Sequence, residues 1–145
     1  MNKDVIISVK GIQTSPNDPQ ANKIELITEG KYYKKGKNYY VTYKESKVTG
    51  MEGTTTTVKV CDDGLVTLTR FGKVNTQFMF KEGKKFKSYY DTVYGTFIID
   101  ISTKTVDINV DDDGGDIRVD YNIEIDDNKT GETDFYMQIR EVGSR

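Results

Sequence analysis

Apolar and polar residues alternate along most of this chain, and no window has the 3.6-residue spacing of an amphipathic helix. The clearest run covers residues 117–126, in which each apolar residue is followed by a polar one: Ile117, Arg118, Val119, Asp120, Tyr121, Asn122, Ile123, Glu124, Ile125 and Asp126. Successive side chains of a β-strand point to opposite faces. The run therefore predicts a strand with one buried and one solvated face.

Turn signals separate these alternating runs. Glycine adopts positive φ readily, and Asp or Asn beside it tolerates the left-handed region, so such pairs are typical of hairpin loops. The predicted turns are Lys35-Gly36, Met51-Glu52-Gly53, Asp62-Asp63-Gly64, Glu82-Gly83, Asp113-Gly114-Gly115 and Thr130-Gly131. Both prolines, Pro16 and Pro19, fall in a polar stretch, residues 13–22, that we predict to be a loop after the first strand.

Many short antiparallel strands joined by tight turns form either a sandwich or a closed barrel. A Greek-key sandwich needs a long crossing connection, for which only residues 13–22 and 45–53 are candidates. Closure also removes the sheet edges that a long meander would expose. We therefore predict an all-β fold, an antiparallel up-and-down β-barrel of about 8–10 strands, in a single domain of residues 1–145.

The composition excludes several kinds of chemistry. The chain has no histidine and one cysteine, Cys61, so an intrachain disulfide, a His-based triad and a Cys/His zinc site are impossible. It also lacks a Gly-x-Ser-x-Gly elbow and a phosphate-binding glycine loop. We expect no enzyme activity, no catalytic or metal-binding residues and no cofactor.

The N-terminal residues carry no targeting signal that we can identify. The apolar run Val5-Ile6-Ile7 is too short for the core of a signal peptide or for a membrane span. We therefore expect a cytoplasmic protein without membrane association.

Charge is unevenly distributed along the chain. Residues 1–99 carry 16 Lys/Arg and 10 Asp/Glu, whereas residues 100–145 carry 5 and 13. Such halves either attract each other within one fold, which we favour, or form two poles that steer partners. Two acidic clusters, residues 111–116 and 126–131, are predicted to be solvated hairpin tips. A calcium loop starting at Asp126 would need glutamate where Met137 stands.

The stretch of residues 30–43 is rich in tyrosine and lysine around Gly36. We interpret it as a hairpin, because tyrosine is a strong strand former and lysines keep edges soluble. Its alternative role is a basic, tyrosine-rich surface for a protein or for single-stranded nucleic acid, with a second cluster at residues 81–90. The sequence pI of about 5.2 argues against nucleic acid.

Several short motifs resemble the uncharacterised bacterial YwiB-like family over essentially the whole chain. These motifs are Gly30-x-Tyr32-Tyr33, Tyr40-x-x-Tyr43-x-Glu45, Thr55-Thr56-Thr57-Val58-Lys59-Val60, Gly64-Leu65-Val66-x-x-x-Arg70-x-Gly72 and Tyr90-x-Thr92-x-Tyr94-Gly95. The resemblance implies a calycin-like, lipocalin-like β-barrel in a small bacterial protein. It brings no established activity, so it assigns no catalytic residue.

Arg70 is the main candidate for a binding residue. If Val66 and Leu68 point into the barrel, alternation turns Arg70 the same way near a strand end. There its guanidinium could receive a carboxylate with two parallel hydrogen bonds. The opposite inner face, Leu65, Thr67, Thr69 and Phe71, is equally compatible with the pattern. An ion pair with Glu45 is the structural alternative for Arg70.

We predict a barrel that binds a small apolar or amphipathic ligand in its lumen. The predicted ligand-binding residues are Arg70, Tyr43, Tyr90 and Tyr32. If the lumen is instead filled by the protein's own side chains, the surface hairpin becomes the interaction site. Self-association is also compatible with the sequence.

Overall fold

The computed structural model describes the backbone of residues 1–15, 18–73, 75–92, 94–125 and 128–143, and their side chains except those of residues 18–21, 90, 92 and 129. Ten strands are present: β1 Asn2–Ser15, β2 Asp18–Lys35, β3 Asn38–Lys44, β4 Thr54–Val60, β5 Val66–Gly72, β6 Asn75–Phe80, β7 Lys85–Thr92, β8 Gly95–Asp111, β9 Gly114–Ile125 and β10 Asn128–Glu141. A three-residue 3₁₀ turn, Lys47–Thr49, lies between β3 and β4. No helix in the described ranges is long and apolar enough to cross a bilayer.

Each strand pairs antiparallel with the next along the chain, and β1 pairs with β10, which closes the sheet into a barrel. The predicted all-β, up-and-down barrel is therefore confirmed. Alternation sets the register, because a shift by one residue would turn each apolar set to solvent. The start of the run of residues 117–125 shows the expected alternation, since Ile117 and Val119 are fully buried while Arg118 is exposed. Residues 120–125 are all half-buried.

Most predicted turns are found, and two predictions were wrong. Thr130-Gly131 lies within β10 at a register shift, not in a turn. Glycine is needed there because an added Cβ would stand 2.5 Å from the carbonyl oxygen of Thr14 on β1. The loop expected for residues 13–22 is mostly strand, since β1 continues to Ser15 and β2 begins at Asp18. Pro19 is tolerated near the strand start, whereas Pro16 lies outside the described residues.

The barrel interior is filled by the protein's own apolar side chains. Its fully buried members come from strands all round the barrel: Val5, Ile7, Tyr32, Val41, Val58, Ile101, Ile117, Val119 and Met137. Phe80 packs against Tyr121 from across the barrel, with ring centroids 4.7 Å apart. Hydrophobic burial of this inner face stabilises the fold.

The barrel has two ends. We call the end with the turns after β2, β4, β6 and β8 the tip end, and the other the loop end. At the tip end the β8–β9 turn reaches across to the β2–β3 hairpin. The Tyr32 hydroxyl donates to the carbonyl of Asp111 at 2.7 Å, and the Tyr39 hydroxyl donates to the Asp112 carboxylate at 2.6 Å. These bonds close the tip end.

Ion pairs join the basic and acidic parts of the chain. They are Lys3–Asp113 at 3.4 Å, Lys34–Asp112 at 3.8 Å, Lys85–Glu124 at 2.7 Å and Lys87–Asp100 at 3.5 Å. The interpretation of the charge asymmetry as attraction within one fold is confirmed. Exposed pairs of this kind each contribute about 0–1 kcal/mol.

The ladder between β6 and β7 is short. Within the described residues it holds two paired positions, Asn75 with Asp91 and Thr76 with Tyr90, both near the loop end. Farther along, the Ser88 hydroxyl donates to the carbonyl of Gln77. A side chain thus supplies a contact between the two strands where ladder pairing has ended, and we call this region the β6–β7 seam.

Candidate functional site

A single cross-strand row connects the residues that line the barrel near the loop end. Ladder pairing places six positions side by side on β3 to β8: Tyr43, Thr56, Arg70, Thr76, Tyr90 and Phe97. Directly opposite residues of an antiparallel pair share a face and lie about 4.5–5.5 Å apart. We call this set the loop-end row. Three of the four predicted binding residues, Tyr43, Arg70 and Tyr90, belong to it.

Arg70 points into the barrel. Val66 and Leu68, four and two residues before it, are buried, whereas Phe71 is 75% exposed. Alternation therefore places the Arg70 side chain on the inner face, as the first of the two predicted orientations requires. Its guanidinium lies near a strand end, where the loop end of the barrel begins.

Glu45 is the ion-pair partner of Arg70. The Arg70 Nε lies 3.8 Å from Glu45 Oε2, and their side chains are 17% and 2% exposed. The Thr56 hydroxyl donates to the same carboxylate. Glu45 is held there because its backbone N–H donates to the carbonyl of Thr54 at 2.8 Å, where the β3–β4 connection closes. The predicted alternative, an Arg70–Glu45 pair, is thus present.

The polar groups of this cluster are not fully satisfied. Arg70 Nε and the Thr76 hydroxyl are both buried, and neither has a hydrogen-bond partner among the described residues. The 3.8 Å separation from Glu45 is too long for a hydrogen bond. Buried polar groups are normally hydrogen-bonded. Two buried donors without partners on adjacent strands therefore mark a place where a further hydrogen-bond acceptor would stabilise the protein.

Two tyrosines of the barrel interact electrostatically with the Arg70 guanidinium. Burial raises the pKa of Tyr43, the Glu45 carboxylate raises it further, and Arg70 opposes the rise. Burial also raises the pKa of Tyr121 on the opposite wall, again with Arg70 acting against it. Both hydroxyls therefore stay protonated at neutral pH and can donate to an acceptor near Arg70.

The four predicted residues do not all converge. Tyr32 lies toward the tip end, stacked on Tyr39 with ring centroids 5.4 Å apart, and is not part of the Arg70 cluster. The side chain of Tyr90 lies outside the described residues, so only its backbone position in the loop-end row is known. Sequence reasoning missed Thr76 and Tyr121, although alternation along residues 76–80 and 117–125 could have indicated their inward orientation.

The loop end also carries exposed apolar side chains, on and near β8. Phe97, in the loop-end row, is 47% exposed, and Tyr94 in the preceding turn is 90% exposed. An added Cβ at Gly95 would meet no described atom within 4 Å. The loop end thus combines exposed apolar side chains, Phe97 and Tyr94, with the buried charge of Arg70.

Two grooves lie on the outer wall of the barrel. One of about 320 Å³ is formed by β1, β2, β9 and β10, with Lys10, Ile27, Arg118 and Tyr136 among its lining residues. The other, of about 600 Å³, is lined by residues that include Lys31, Thr42, Lys44 and Thr55. Most of their lining side chains belong to the solvated face of the sheet. Neither groove includes Arg70.

The tyrosine-rich hairpin uses much of its aromatic surface internally. On the outer wall the rings of Tyr33 and Tyr40 stack in parallel, with centroids 5.0 Å apart. The Lys35 ammonium lies 5.7 Å from one ring and 5.9 Å from the other, and Lys59 lies 5.7 Å from Tyr40. Cation–π contacts of this kind are satisfied within the protein.

The described side chains contain no group of three or more Asp, Glu or Cys residues that could hold a metal ion. The acidic turn at Asp111–Asp113 is an exposed hairpin tip, as predicted, in which the backbone N–H of Asp113 donates to the Asp111 carboxylate at 2.9 Å. The start of the second acidic cluster, at Asp126, lies outside the described residues.

Comparisons with known proteins agree with the fold. Residues 7–137 match the family described as "Domain of unknown function (DUF1934)". The chain is 30% identical over 111 residues to the "Uncharacterized beta-barrel protein YwiB" of Bacillus subtilis (strain 168), covering 77% of this chain and 76% of that protein. The crystal structure of the ywiB protein from Bacillus subtilis matches with a TM-score of 0.79 and 24% identity, over 94% of this chain and 92% of that one. The predicted YwiB-like resemblance is confirmed, and the chain belongs to the DUF1934 family.

Proposed function

We propose that this protein binds a small amphipathic molecule at the loop end of the barrel, with the anionic head of the ligand on Arg70. The observation that carries the proposal is the buried Nε of Arg70, which has no hydrogen-bond partner among the described residues. A buried donor left unpaired costs about 1–3 kcal/mol. A ligand oxygen at this position would recover that cost.

The surrounding groups suit the two ends of such a ligand. A guanidinium presents donors in a fixed fork that matches a carboxylate or phosphate. The Thr76 hydroxyl on the neighbouring strand is a second buried group that has no hydrogen-bond partner in the described part of the chain. Phe97, half exposed in the same row, offers an apolar surface for the rest of the molecule.

The ligand would sit at the loop end rather than along the whole lumen. Side chains of the inner face, such as Tyr32 and Phe80, already fill the middle and the tip end. The hydroxyls of Tyr32 and Tyr39 also hold the tip end closed. Entry from the loop end needs no rearrangement of this packed region.

A fluorescence titration with a dansyl-labelled medium-chain carboxylic acid would test the proposal. We expect saturable binding to the wild type and at least tenfold weaker binding to Arg70→Met, which keeps much of the side-chain volume. Arg118→Met is the matched control, because Arg118 lies on the outer wall and pairs with Asp134 at 3.4 Å. The methyl ester of the probe, which lacks the charge, should bind the wild type as weakly as the acid binds Arg70→Met.

Equal affinity of Arg70→Met and the wild type for the acid would overturn the proposal, as would equal affinity of the wild type for the acid and the ester. The ester comparison needs no variant, so the test stands even if substitution of Arg70 impairs folding. Native mass spectrometry of gently purified protein would then look for a retained ligand.

The surface alternative rests on the hairpin of residues 30–43. Its stacked tyrosines are covered by lysines, and Lys34 is paired with Asp112, so the geometry favours the loop end. Oligonucleotide binding that weakens steeply with salt would support the alternative. The expected absence of enzyme activity, the cytoplasmic location and self-association stay predictions.

A further inference from the structure

We infer that an anionic head group at Arg70 displaces the Glu45 carboxylate, and that the displaced Glu45 takes up one proton from solvent as the ligand binds. The inference rests on the proposed function and adds a means of regulating it. Affinity for an anion would depend on pH in a range where the ligand itself does not titrate.

Glu45 is placed so that it depends on Arg70. Its side chain is 2% exposed, and Arg70 is its ion-pair partner. Among the described side chains, its other hydrogen-bonding neighbours are neutral: the hydroxyl of Thr56 on β4, which donates to it, and the hydroxyl of Tyr43 on β3. Tyr121 on β9 interacts electrostatically with the guanidinium. One buried positive charge thus balances one buried negative charge.

A second anion would upset this balance. With the head group on Arg70, two carboxylates would share a single cation in a water-poor site. Like charges at close range cannot both stay ionised, and one carboxyl takes up a proton. We expect Glu45 to be that group, because its side chain is 2% exposed and leaving a buried charge uncompensated is strongly unfavourable.

The existing pair is arranged for such an exchange. The Nε of Arg70 makes no hydrogen bond to Glu45 across the 3.8 Å gap, so a ligand oxygen would not have to break one there. A protonated Glu45 can still form a hydrogen bond with Thr56, with either group as the donor. The chemistry is a proton transfer from water or buffer to a carboxylate, and no covalent bond between heavy atoms changes.

Isothermal titration calorimetry with the same dansyl-labelled carboxylic acid would measure the number of protons that the protein takes up per bound ligand. Titrations at pH 7.5 in phosphate and in Tris, whose ionisation enthalpies differ, should give uptake of about one proton per ligand for the wild type, by linkage. Affinity should fall by up to tenfold per unit rise in pH. In Glu45→Gln, which has no carboxylate to displace, we expect proton uptake near zero, affinity independent of pH, and tighter binding than the wild type at pH 7.5.

Asp134→Asn is the matched control, because it removes a partly buried carboxylate from the outer wall. It should keep the uptake of one proton. Saturable binding by the wild type with no proton uptake would overturn the coupling and leave the proposed function standing, and unchanged uptake in Glu45→Gln would do the same. No binding of the probe by the wild type would overturn both. The wild-type proton count decides the matter even if a variant fails to fold.

Discussion

The hydroxyl of Tyr32 on β2 donates to the backbone carbonyl of Asp111 at the end of β8, at 2.7 Å and 79 residues away along the chain. The bond crosses the tip end of the barrel and joins two hairpins that are not neighbours in the sheet. Tyr39 makes the parallel contact to Asp112. Tyr32, which the sequence analysis predicted to bind a ligand, and Tyr39 thus close one end of the barrel.

Removal of the Tyr32 hydroxyl should loosen this closure. Tyr32→Phe leaves the carbonyl of Asp111 without this part-buried donor, so we expect a loss of about 1 kcal/mol in the free energy of unfolding. Tyr33→Phe, on the outer wall, is the control and should change stability by less than about 0.5 kcal/mol. Urea unfolding of the three proteins would measure this. A Tyr32→Phe protein as stable as the control would show that the contact contributes nothing.

Alkaline pH should weaken the tip end through Tyr39. The hydrogen bond to the Asp112 carboxylate, helped by burial, raises the pKa of Tyr39 to about 12. The folded protein therefore holds this proton more tightly than the unfolded chain, and the associated stability is present below pH ~10 and lost as pH rises toward 12. Tyr39→Phe should show a smaller loss of melting temperature than the wild type between pH 9 and 11.5. Parallel curves for the two proteins would argue against this role.

The Arg70–Glu45 pair gives a prediction that needs no ligand. Arg70→Ala leaves the Glu45 carboxylate buried without its cation, and breaking such a pair costs about 3–5 kcal/mol. Arg118→Ala removes an arginine whose side chain is 54% exposed, and should cost no more than about 1 kcal/mol. Chemical denaturation of both variants would compare them. Similar small losses would mean that water reaches Glu45 and compensates its charge.

Alternation was enough to predict the barrel, because burial acts on every second residue of a strand whatever its partner strand. It left the inward side of β5 open, since Leu65, Thr67, Thr69 and Phe71 fitted the pattern as well as Val66, Leu68 and Arg70. Thr130-Gly131 was misread as a turn because glycine serves close approach as well as positive φ, and the approach of Thr14 depends on barrel closure. The Tyr32 hydroxyl bonds to Asp111, and not to Arg70, because barrel closure brings β8 and β2 together at the tip end. Thr76 is the ladder partner of Arg70, so its place in the site depends on the register of β5 and β6. Tyr121 acts on Arg70 from the non-adjacent strand β9, and contacts across the barrel have no local signature. Both residues therefore emerged as parts of the site only from the structure.

Two glycines in adjacent strands provide a matched test of packing. An added Cβ at Gly30 would lie 2.4 Å from both the Ile7 side chain and the carbonyl oxygen of Thr42, whereas one at Gly11 would meet nothing within 4 Å. Gly30→Ala should therefore destabilise the barrel by about 1–3 kcal/mol. Gly11→Ala should stabilise the barrel by about 0.4–1 kcal/mol, because alanine lowers the conformational entropy of the unfolded chain. Thermal unfolding of both would reveal whether the Gly30 site can relax.

The outer wall holds a pair of carboxylates that oppose each other. Asp134 lies directly opposite Asp120 in the β9–β10 ladder. Burial, and then the charge of Asp120, raises the pKa of Asp134. Ionised Asp134 thus costs stability at neutral pH, and the cost disappears as pH falls through its folded-state pKa. Asp134→Asn should raise the melting temperature at pH 7 and lose that advantage near pH 3; an advantage that persists in acid would point to another cause.

The β6–β7 seam gives the barrel a preferred line of opening. The hydroxyl of Ser88 donates to the carbonyl of Gln77 in place of a ladder hydrogen bond. The neighbouring backbone amides are therefore less protected from exchange with solvent than amides inside a full ladder. Hydrogen exchange should therefore be fastest along this line and slowest in β9 and β10, whose paired positions run almost from end to end. Mechanically, the molecule is a rolled sheet whose shortest ladder among the described residues is the β6–β7 seam, and we expect force or denaturant to unroll it from there.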